Sequence, residues 1–95
     1  MTALNKAKFS LGQTVATPSA LTALDQAAVN ALTLLLRHQT GDWGNLPAED
    51  WQSNEDAVKH GWRILSNYPL TTGERIWIIT EADRSSTTLL LPEEY

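Results

Sequence analysis

Residues 75–95, RIWIITEADRSSTTLLLPEEY, hold the densest run of strand-forming residues in the chain and decide its fold. Two β-branched and aliphatic runs, 75–80 and 86–91, flank a polar segment at 81–85, and each run has the length of an ordinary strand. This pattern predicts an antiparallel hairpin that stops at Pro92. We expect the rest of the chain to pack onto this hairpin.

Two further segments have strand character. Residues 63–70 predict a strand that Pro69 places at a sheet edge or a bulge, followed by a turn that contains Gly73. Residues 13–17 predict a short strand, either at an edge or paired with the C-terminal sheet. The expected sheet therefore has three or four antiparallel strands.

The sequence between these strands has helical periodicity. Thr17 and Pro18 are typical of a helix start, because threonine accepts hydrogen bonds from early backbone N–H groups and proline needs no donor there. Asn30 leaves two alternatives open, one bent helix over 18–38 or two helices that meet near Val29. Apolar residues then recur at steps of three and four and predict a core-facing stripe: Leu21, Leu24, Ala28, Leu32, Leu35 and Leu36.

A loop and a third helix follow. Gly41 and Gly44 flank Trp43 in a tight loop, so this ring is either an aromatic plug over the core or a stacking platform for a ligand. The third helix begins near Pro47 and ends at Gly61. One of its faces is expected to carry Trp51, Asn54 or Glu55, Val58 and Trp62, and the four tryptophans of the chain are expected to be core anchors: Trp43, Trp51, Trp62 and Trp77.

Segregated helices and strands indicate an α+β fold, with two or three helices on one face of the sheet and the order β-α-α-α-β-β-β. Ninety-five residues predict one small domain over 1–95, with residues 1–10 frayed. A formal net charge of −4 argues against general nucleic-acid binding. No secretory signal and no apolar run of bilayer length is visible, so we expect a cytoplasmic protein without a membrane partner.

Several pieces of the sequence carry a resemblance: 8–9 with 11–13, 15–18, 37–38 with 41–44, 63–66, and 77–85 with 91–95. Together they resemble a family of small uncharacterised bacterial proteins that are often labelled hypothetical or plasmid-related. The resemblance implies a bacterial source and a gene carried on mobile genetic elements, and it transfers no activity. Where that family tends to open its second helix with proline, this chain has Val29, Asn30 and Ala31.

The polar residues that suit chemistry fall into three groups: Arg37, His38 and Asp42; Asn54 and Arg63; Glu81, Asp83 and Arg84. The first and last groups meet at one end if the helices cover the sheet. Such a cluster suits metal-independent RNA cleavage, in which His38 and Glu81 act as acid and base while Arg84 stabilises the phosphorane. The hydroxyls that would bind phosphate are Ser85, Thr87 and Thr88.

Structural roles are the competing interpretation of the same residues. Arg37 and His38 would cap helix carbonyls, Asp42 would close its own turn, and Asp83 and Arg84 would form a local ion pair. His60 falls in a last helical turn, where positive charge is favoured. No metal-ligand spacing is present and the chain has no cysteine, so we predict no metal site and no cofactor.

Two functional hypotheses follow. In the first, the protein is a non-enzymatic accessory or interaction protein of a mobile element, acting through its acidic surface, the Trp43 loop or an exposed sheet edge, as a homodimer or with an unidentified protein partner or small ligand. The binding residues would then be Arg37, His38, Asp42, Trp43, Asp83 and Arg84. In the second, the protein is a small RNase-like enzyme that uses His38, Glu81 and Arg84.

Overall fold

A computed structural model describes residues 6–95, and its fold is α+β, with three α-helices and one four-stranded sheet. The elements in chain order are β1 (Gln13–Ala16), α1 (Pro18–Gln26), α2 (Ala31–Gln39), α3 (Ala48–His60), β2 (Ile64–Pro69), β3 (Arg75–Thr80), β4 (Ser86–Leu90) and a 3₁₀ helix (Pro92–Glu94). The expected order β-α-α-α-β-β-β is confirmed.

The sheet has the strand order β1-β4-β3-β2 and is mixed. The C-terminal hairpin is confirmed, because β3 pairs antiparallel with β4 on one side and with β2 on the other. The expectation of a wholly antiparallel sheet is wrong at β1, which pairs parallel with β4. All three helices separate these two strands in the sequence, so no tight turn imposes an antiparallel pairing on them.

The sheet has an inner face covered by helices and an outer face that is covered only in part. Ile76, Ile78 and Thr80 of β3 are fully buried on the inner face, while Trp77 on the outer face is half-buried. The inner-face core joins α1 and α2 to the strands through Ala20, Ala23, Leu24, Leu34, Leu35, Tyr68, Ile76, Ile78 and Leu89. On the outer face, the 3₁₀ helix returns Tyr95 onto Trp77, with ring centroids 5.7 Å apart.

The leucine-rich segment forms two helices, which decides between the two alternatives. The Thr17 hydroxyl accepts from Ala20 N–H at 3.1 Å, and Asn30 Oδ1 accepts from Leu32 N–H at 2.8 Å, so each helix has its own N-cap. The chain turns by 106° between α1 and α2. Within residues 6–95 no single helix is long and apolar enough to cross a membrane, and these two satisfy such a test only when taken as one bent pair.

The expected leucine stripe does not coincide with the buried faces of the two helices, which carry Ala20, Ala23 and Leu24 on α1 and Leu34, Leu35 and His38 on α2. Leu24 and Leu35 are buried as expected, but Leu21, Leu32 and Leu36 are 52%, 59% and 53% exposed. The expectation that these three pack in the core is wrong. Alanines form much of the buried face of α1, and α2 has leucines on its buried and its exposed faces, so the leucine spacing does not identify the faces that pack in the core.

The face expected on α3 is buried at Asn54 and packs on the core at Val58, but the expectation is wrong at its two tryptophans. This helix ends at Gly61, which has a φ of 74°, and it buries Asn54 and Ala57. Trp51 and Trp62 are 36% and 55% exposed. The Asn54 side chain bonds the main chain of β2, which centres the buried face on Asn54 and Ala57 and leaves Trp51 outside it, while Trp62 lies beyond the last residue of the helix.

The N-terminal segment is anchored to α2. Lys8 N–H donates to the Gln39 carbonyl at 2.8 Å, and the Gln39 side chain donates to the Phe9 carbonyl at 3.0 Å. Phe9 packs on His38 and Trp43. The expected fraying of residues 1–10 therefore does not extend to Lys8 and Phe9, and residues 1–5 lie outside the described part of the chain.

Candidate functional site

His38 lies in the last turn of α2 and is fully buried against the inner face of the sheet. Its Nδ1 is 2.6 Å from Ser66 Oγ of β2, and its Nε2 is 2.9 Å from Thr80 Oγ1 of β3. The Thr80 hydroxyl is 2.7 Å from that of Thr87, which donates to the Leu11 carbonyl at 2.7 Å. A chain of buried hydrogen bonds thus joins α2, three strands and the segment before β1.

Hydrogen counting fixes the direction of this chain. The Thr87 hydroxyl gives its proton to the Leu11 carbonyl, so Thr80 must donate to Thr87. Thr80 then accepts from His38 Nε2–H, and the Ser66 hydroxyl donates to His38 Nδ1. With a neutral His38 imidazole, every side chain in this chain of hydrogen bonds has a partner. Burial and the nearby positive charge of Arg84 lower the pKa of His38 to about 3, in agreement with that neutral form.

Arg84 ties the turn before β4 to the end of α3. Its guanidinium donates to the Trp62 carbonyl at 2.6 Å and to the Ala57 carbonyl at 2.9 Å, and it also reaches two carbonyls of its own turn. The guanidinium carbon lies 5.5 Å from the centre of the Phe9 ring. Arg84 therefore places a cation at the carbonyl end of α3, where the helix dipole favours positive charge.

Glu81 lies on the other side of the sheet from His38. Its carboxylate is 3.5 Å from Arg63. Arg63 in turn bonds the hydroxyl of Tyr95, the residue that covers Trp77 on the outer face. Of the three proposed catalytic residues, the structure brings His38 and Arg84 together around Phe9, whereas the Glu81 carboxylate pairs with Arg63.

Arg37 and Asp42 form a surface ion pair at the end of α2, with Arg37 Nε 2.7 Å from Asp42 Oδ2. The hydrogen bond from Arg37 lowers the pKa of Asp42 and raises that of Arg37. Asp42 also closes its own turn, as expected, by accepting from Gly44 N–H at 3.2 Å. The Arg37 guanidinium lies 4.6 Å from the Tyr68 ring centre. The predicted capping of helix carbonyls by Arg37 is instead supplied by Thr40.

Trp43 is fully buried, as the plug alternative predicts, and its indole N–H donates to Glu55 at 2.8 Å. Its ring lies stacked on Phe9 and edge-on to His38. Trp43 O accepts from Asn67 N–H at 3.1 Å, so the loop also extends the edge of β2. A buried ring in this position stabilises the core and leaves no face for stacking a ligand.

The remaining candidates have local roles. Asp83 Oδ1 accepts from Ser85 N–H at 3.0 Å, which lowers the pKa of Asp83, and in the described residues the predicted Asp83–Arg84 ion pair is not formed. His60 stacks on Trp62 with centroids 4.8 Å apart. Among residues 6–95, no group of three or more His, Asp or Glu side chains is placed to hold a metal ion.

Sequence reasoning missed a different feature, the distribution of exposed apolar side chains. Seven large ones are exposed in the described part of the chain, and four of them, Val15, Leu21, Leu32 and Leu36, fall within residues 9–36. Asp25 is the only charged residue in this range, which we name the charge-poor segment. The signal was present in the sequence as a gap between Lys8 and Arg37 in which Asp25 is the only charge.

Comparison of the chain with protein-family models, curated proteins and solved structures finds no match. The resemblance to a plasmid-related family therefore stays a prediction from the sequence.

Proposed function

We propose that the protein is a non-enzymatic accessory or interaction protein that binds another protein through its charge-poor segment. The observation that carries this proposal is the pair Leu32 and Leu36, each more than half exposed and one helical turn apart on α2. An apolar stripe on the solvent side of a helix gains free energy when a partner covers it, at about 25 cal/mol per Å² of apolar surface removed from water.

The surroundings of this stripe resemble the edge of a protein interface. Leu36 is followed directly by Arg37, whose surface ion pair with Asp42 supplies polar groups at the end of α2. Specific interfaces combine an apolar centre with a polar rim. The partner is expected to present an apolar face to Leu32 and Leu36 and a polar group to the Arg37–Asp42 pair.

The buried polar residues support a non-enzymatic role. Both ring nitrogens of His38 are bonded to hydroxyl groups, and Arg84 donates to backbone carbonyls. These bonds stabilise the fold and occupy the hydrogen-bonding groups of both side chains. The resemblance adds the proposal that the gene is carried on a bacterial mobile element, and the sequence features add the proposal that the protein acts in the cytoplasm.

The test compares protein capture by the wild type and by the double variant Leu32→Glu/Leu36→Glu, immobilised and exposed to a bacterial lysate with nucleic acid retained. The matched control is Trp62→Glu, which changes another large exposed apolar side chain. We expect a defined protein to be retained by the wild type and the control. The double variant should retain at least about 10-fold less, because two interface anchors are lost.

Equal retention by the double variant would contradict the proposal. The RNase-like alternative has one observation in its favour, the proximity of His38 and Arg84 around Phe9. It predicts that RNA is recovered and cleaved, and that His38→Gln, Glu81→Gln and Arg84→Lys each abolish the cleavage.

A further inference from the structure

The edge of β1 presents main-chain hydrogen-bonding groups to the outside of the sheet. The N–H groups of Gln13 and Thr17 each donate at 3.0 Å to a carbonyl of β4 or of the turn before it, so the odd-numbered residues of β1 face that strand. Because successive residues of a strand alternate, the N–H and C=O groups of Thr14 and Ala16 point away from β4. Among the described residues β1 pairs with β4 alone, and Gln13, Thr14 and Val15 are exposed.

The opposite edge of the sheet is already occupied. At β2, the Asn54 amide bonds both main-chain groups of Leu65, and the Trp43 loop bonds the main chain of Asn67. Pro69 ends that strand. β1 contains no proline, no charged residue and no bulge, although these are the usual means by which proteins prevent edge pairing. β1 is therefore the edge at which a further strand can pair.

A carboxylate is held beside this edge. Glu94 Oε1 accepts from the Thr17 hydroxyl at 2.7 Å and from Leu91 N–H at 2.8 Å. The Leu91 and Thr17 bonds lower the pKa of Glu94, so the side chain is negatively charged at neutral pH. No ion pair formed by residues 6–95 includes Glu94. The last residue of the edge thus lies next to a fixed negative charge that has no cation.

We propose that β1 binds an extended, cationic segment of a partner protein as a fifth, antiparallel strand of the sheet. Thr14 and Ala16 exchange N–H···O=C bonds with two residues of the segment, and antiparallel pairing is the more stable arrangement per residue. A lysine or arginine opposite Thr17 lies on the same face as the Thr17 side chain, and so beside the Glu94 carboxylate. This inference rests on the proposed function, in that it takes β1, which lies in the charge-poor segment, as a protein-binding surface.

Charge selects this occupant. The chain has a formal net charge of −4, so it repels acidic partners, a second copy included, and attracts cationic ones. β1 has no charge of its own, and Lys8, the nearest cation before it in the sequence, lies with its side chain against Gly41. Val15 is 44% exposed and favours a β-branched residue opposite it. The segment that fits best therefore alternates β-branched residues with lysine or arginine.

The test is a nuclear magnetic resonance titration of the isotope-labelled chain with two short synthetic peptides. In both, valine alternates with threonine and one charged residue type, which is lysine in the first peptide and glutamate in the second. We expect the lysine peptide to shift the amide signals of Thr14 and Ala16 and to slow their exchange with solvent. It should bind about 10-fold more tightly than the glutamate peptide, because attraction to Glu94 replaces repulsion.

Glu94→Gln tests the carboxylate. The variant keeps an oxygen that accepts from Thr17 and Leu91 but loses the charge, so the two peptides should bind it with affinities within about 3-fold of each other. The matched control is Glu93→Gln, which changes the neighbouring exposed acid of the same 3₁₀ helix and should keep the preference for lysine. Equal binding of both peptides by the wild type, or an unchanged preference in Glu94→Gln, overturns the proposal.

Methylation of the peptide backbone tests the strand pairing. With lysine opposite Thr17, the valine N–H groups face β1 and the lysine N–H groups point away from it. Methylation of the valine nitrogens should weaken binding about 100-fold, whereas methylation of the lysine nitrogens should leave it nearly unchanged. Binding that survives valine methylation, or no binding of the lysine peptide, overturns the pairing. These measurements do not involve Leu32 and Leu36, so this proposal and the capture test fail separately.

Discussion

His38 is a polar side chain with no solvent access and two hydroxyl partners, so its replacement has a defined cost at the residue scale. His38→Ala leaves Ser66 and Thr80 with unpaired buried groups and opens a cavity. We expect the free energy of unfolding to fall by about 2–4 kcal/mol in urea denaturation. His60→Ala, at the exposed end of α3, should change it by less than about 1 kcal/mol. Equal effects of the two changes would contradict the buried network.

The same residue predicts a pH dependence. Its pKa in the folded protein is lowered to about 3, below the ordinary value of 6.5, so between these values only the unfolded chain takes up the proton. The stabilisation is complete above about pH 6.5 and is lost as the pH falls towards about 3, by about 1.4 kcal/mol per pH unit. From about pH 7 to about pH 5, the wild type should lose about 2 kcal/mol more than His38→Gln.

Arg84 combines a strained backbone with essential hydrogen bonds. Its φ is 60°, a left-handed conformation that favours glycine, and its side chain bonds Ala57 and Trp62 carbonyls. Arg84→Ala should lose the bonds and keep the strain, lowering unfolding free energy by about 2–3 kcal/mol. Arg84→Gly should be about 1 kcal/mol less damaging in the same thermal or urea unfolding. A glycine variant less stable than the alanine variant would contradict this account.

At the element scale, Gly44 permits the Trp43 loop to lie against β2. A Cβ added there would lie 2.1 Å from the Asn67 carbonyl oxygen, and its φ is 79°. Gly44→Ala should therefore detach the loop and lower unfolding free energy by more than about 3 kcal/mol. Gly73→Ala meets no atom within 4 Å and also has positive φ, so it isolates the backbone strain and should cost about 1 kcal/mol. Similar losses in both variants would contradict the close packing.

The elements themselves could be predicted from the sequence because their signals are local. The β3–β4 hairpin follows from strand composition around a polar turn, and the caps at Thr17, Asn30 and Gly61 follow from side-chain chemistry or φ preference. The parallel pairing of β1 could not be predicted, since it depends on where the three helices return the chain. The exposed Leu32 and Leu36 could not either, because α2 also has leucines at 34 and 35 and only packing decides which of the four face the core.

At the scale of the whole molecule, the candidate site was predicted by residue type and only partly by position. His38 and Arg84 do approach one another through Phe9, but the sheet lies between His38 and the Glu81 carboxylate. The register of a strand decides on which side of the sheet a residue at its end lies. The type of the residue does not decide this. The charge-poor segment was visible in the sequence, but the solvent exposure of its apolar side chains was not.

The polar and the exposed apolar residues therefore have different roles in the molecule. The polar residues that resemble catalytic groups hold helices and strands together. The exposed apolar residues of the charge-poor segment are available for association. Because Leu32 and Leu36 are solvent-exposed, replacing them with glutamate should change the unfolding free energy by less than about 1 kcal/mol. Loss of partner binding in that variant would then reflect the surface and not the fold.

The most direct test of this account is protein capture from the lysate by Leu32→Glu/Leu36→Glu beside His38→Gln, each at a temperature at which it is folded. The account predicts that the leucine variant loses the captured protein while the destabilised His38 variant retains it. Capture that survives in the leucine variant and disappears in folded His38→Gln would contradict the account.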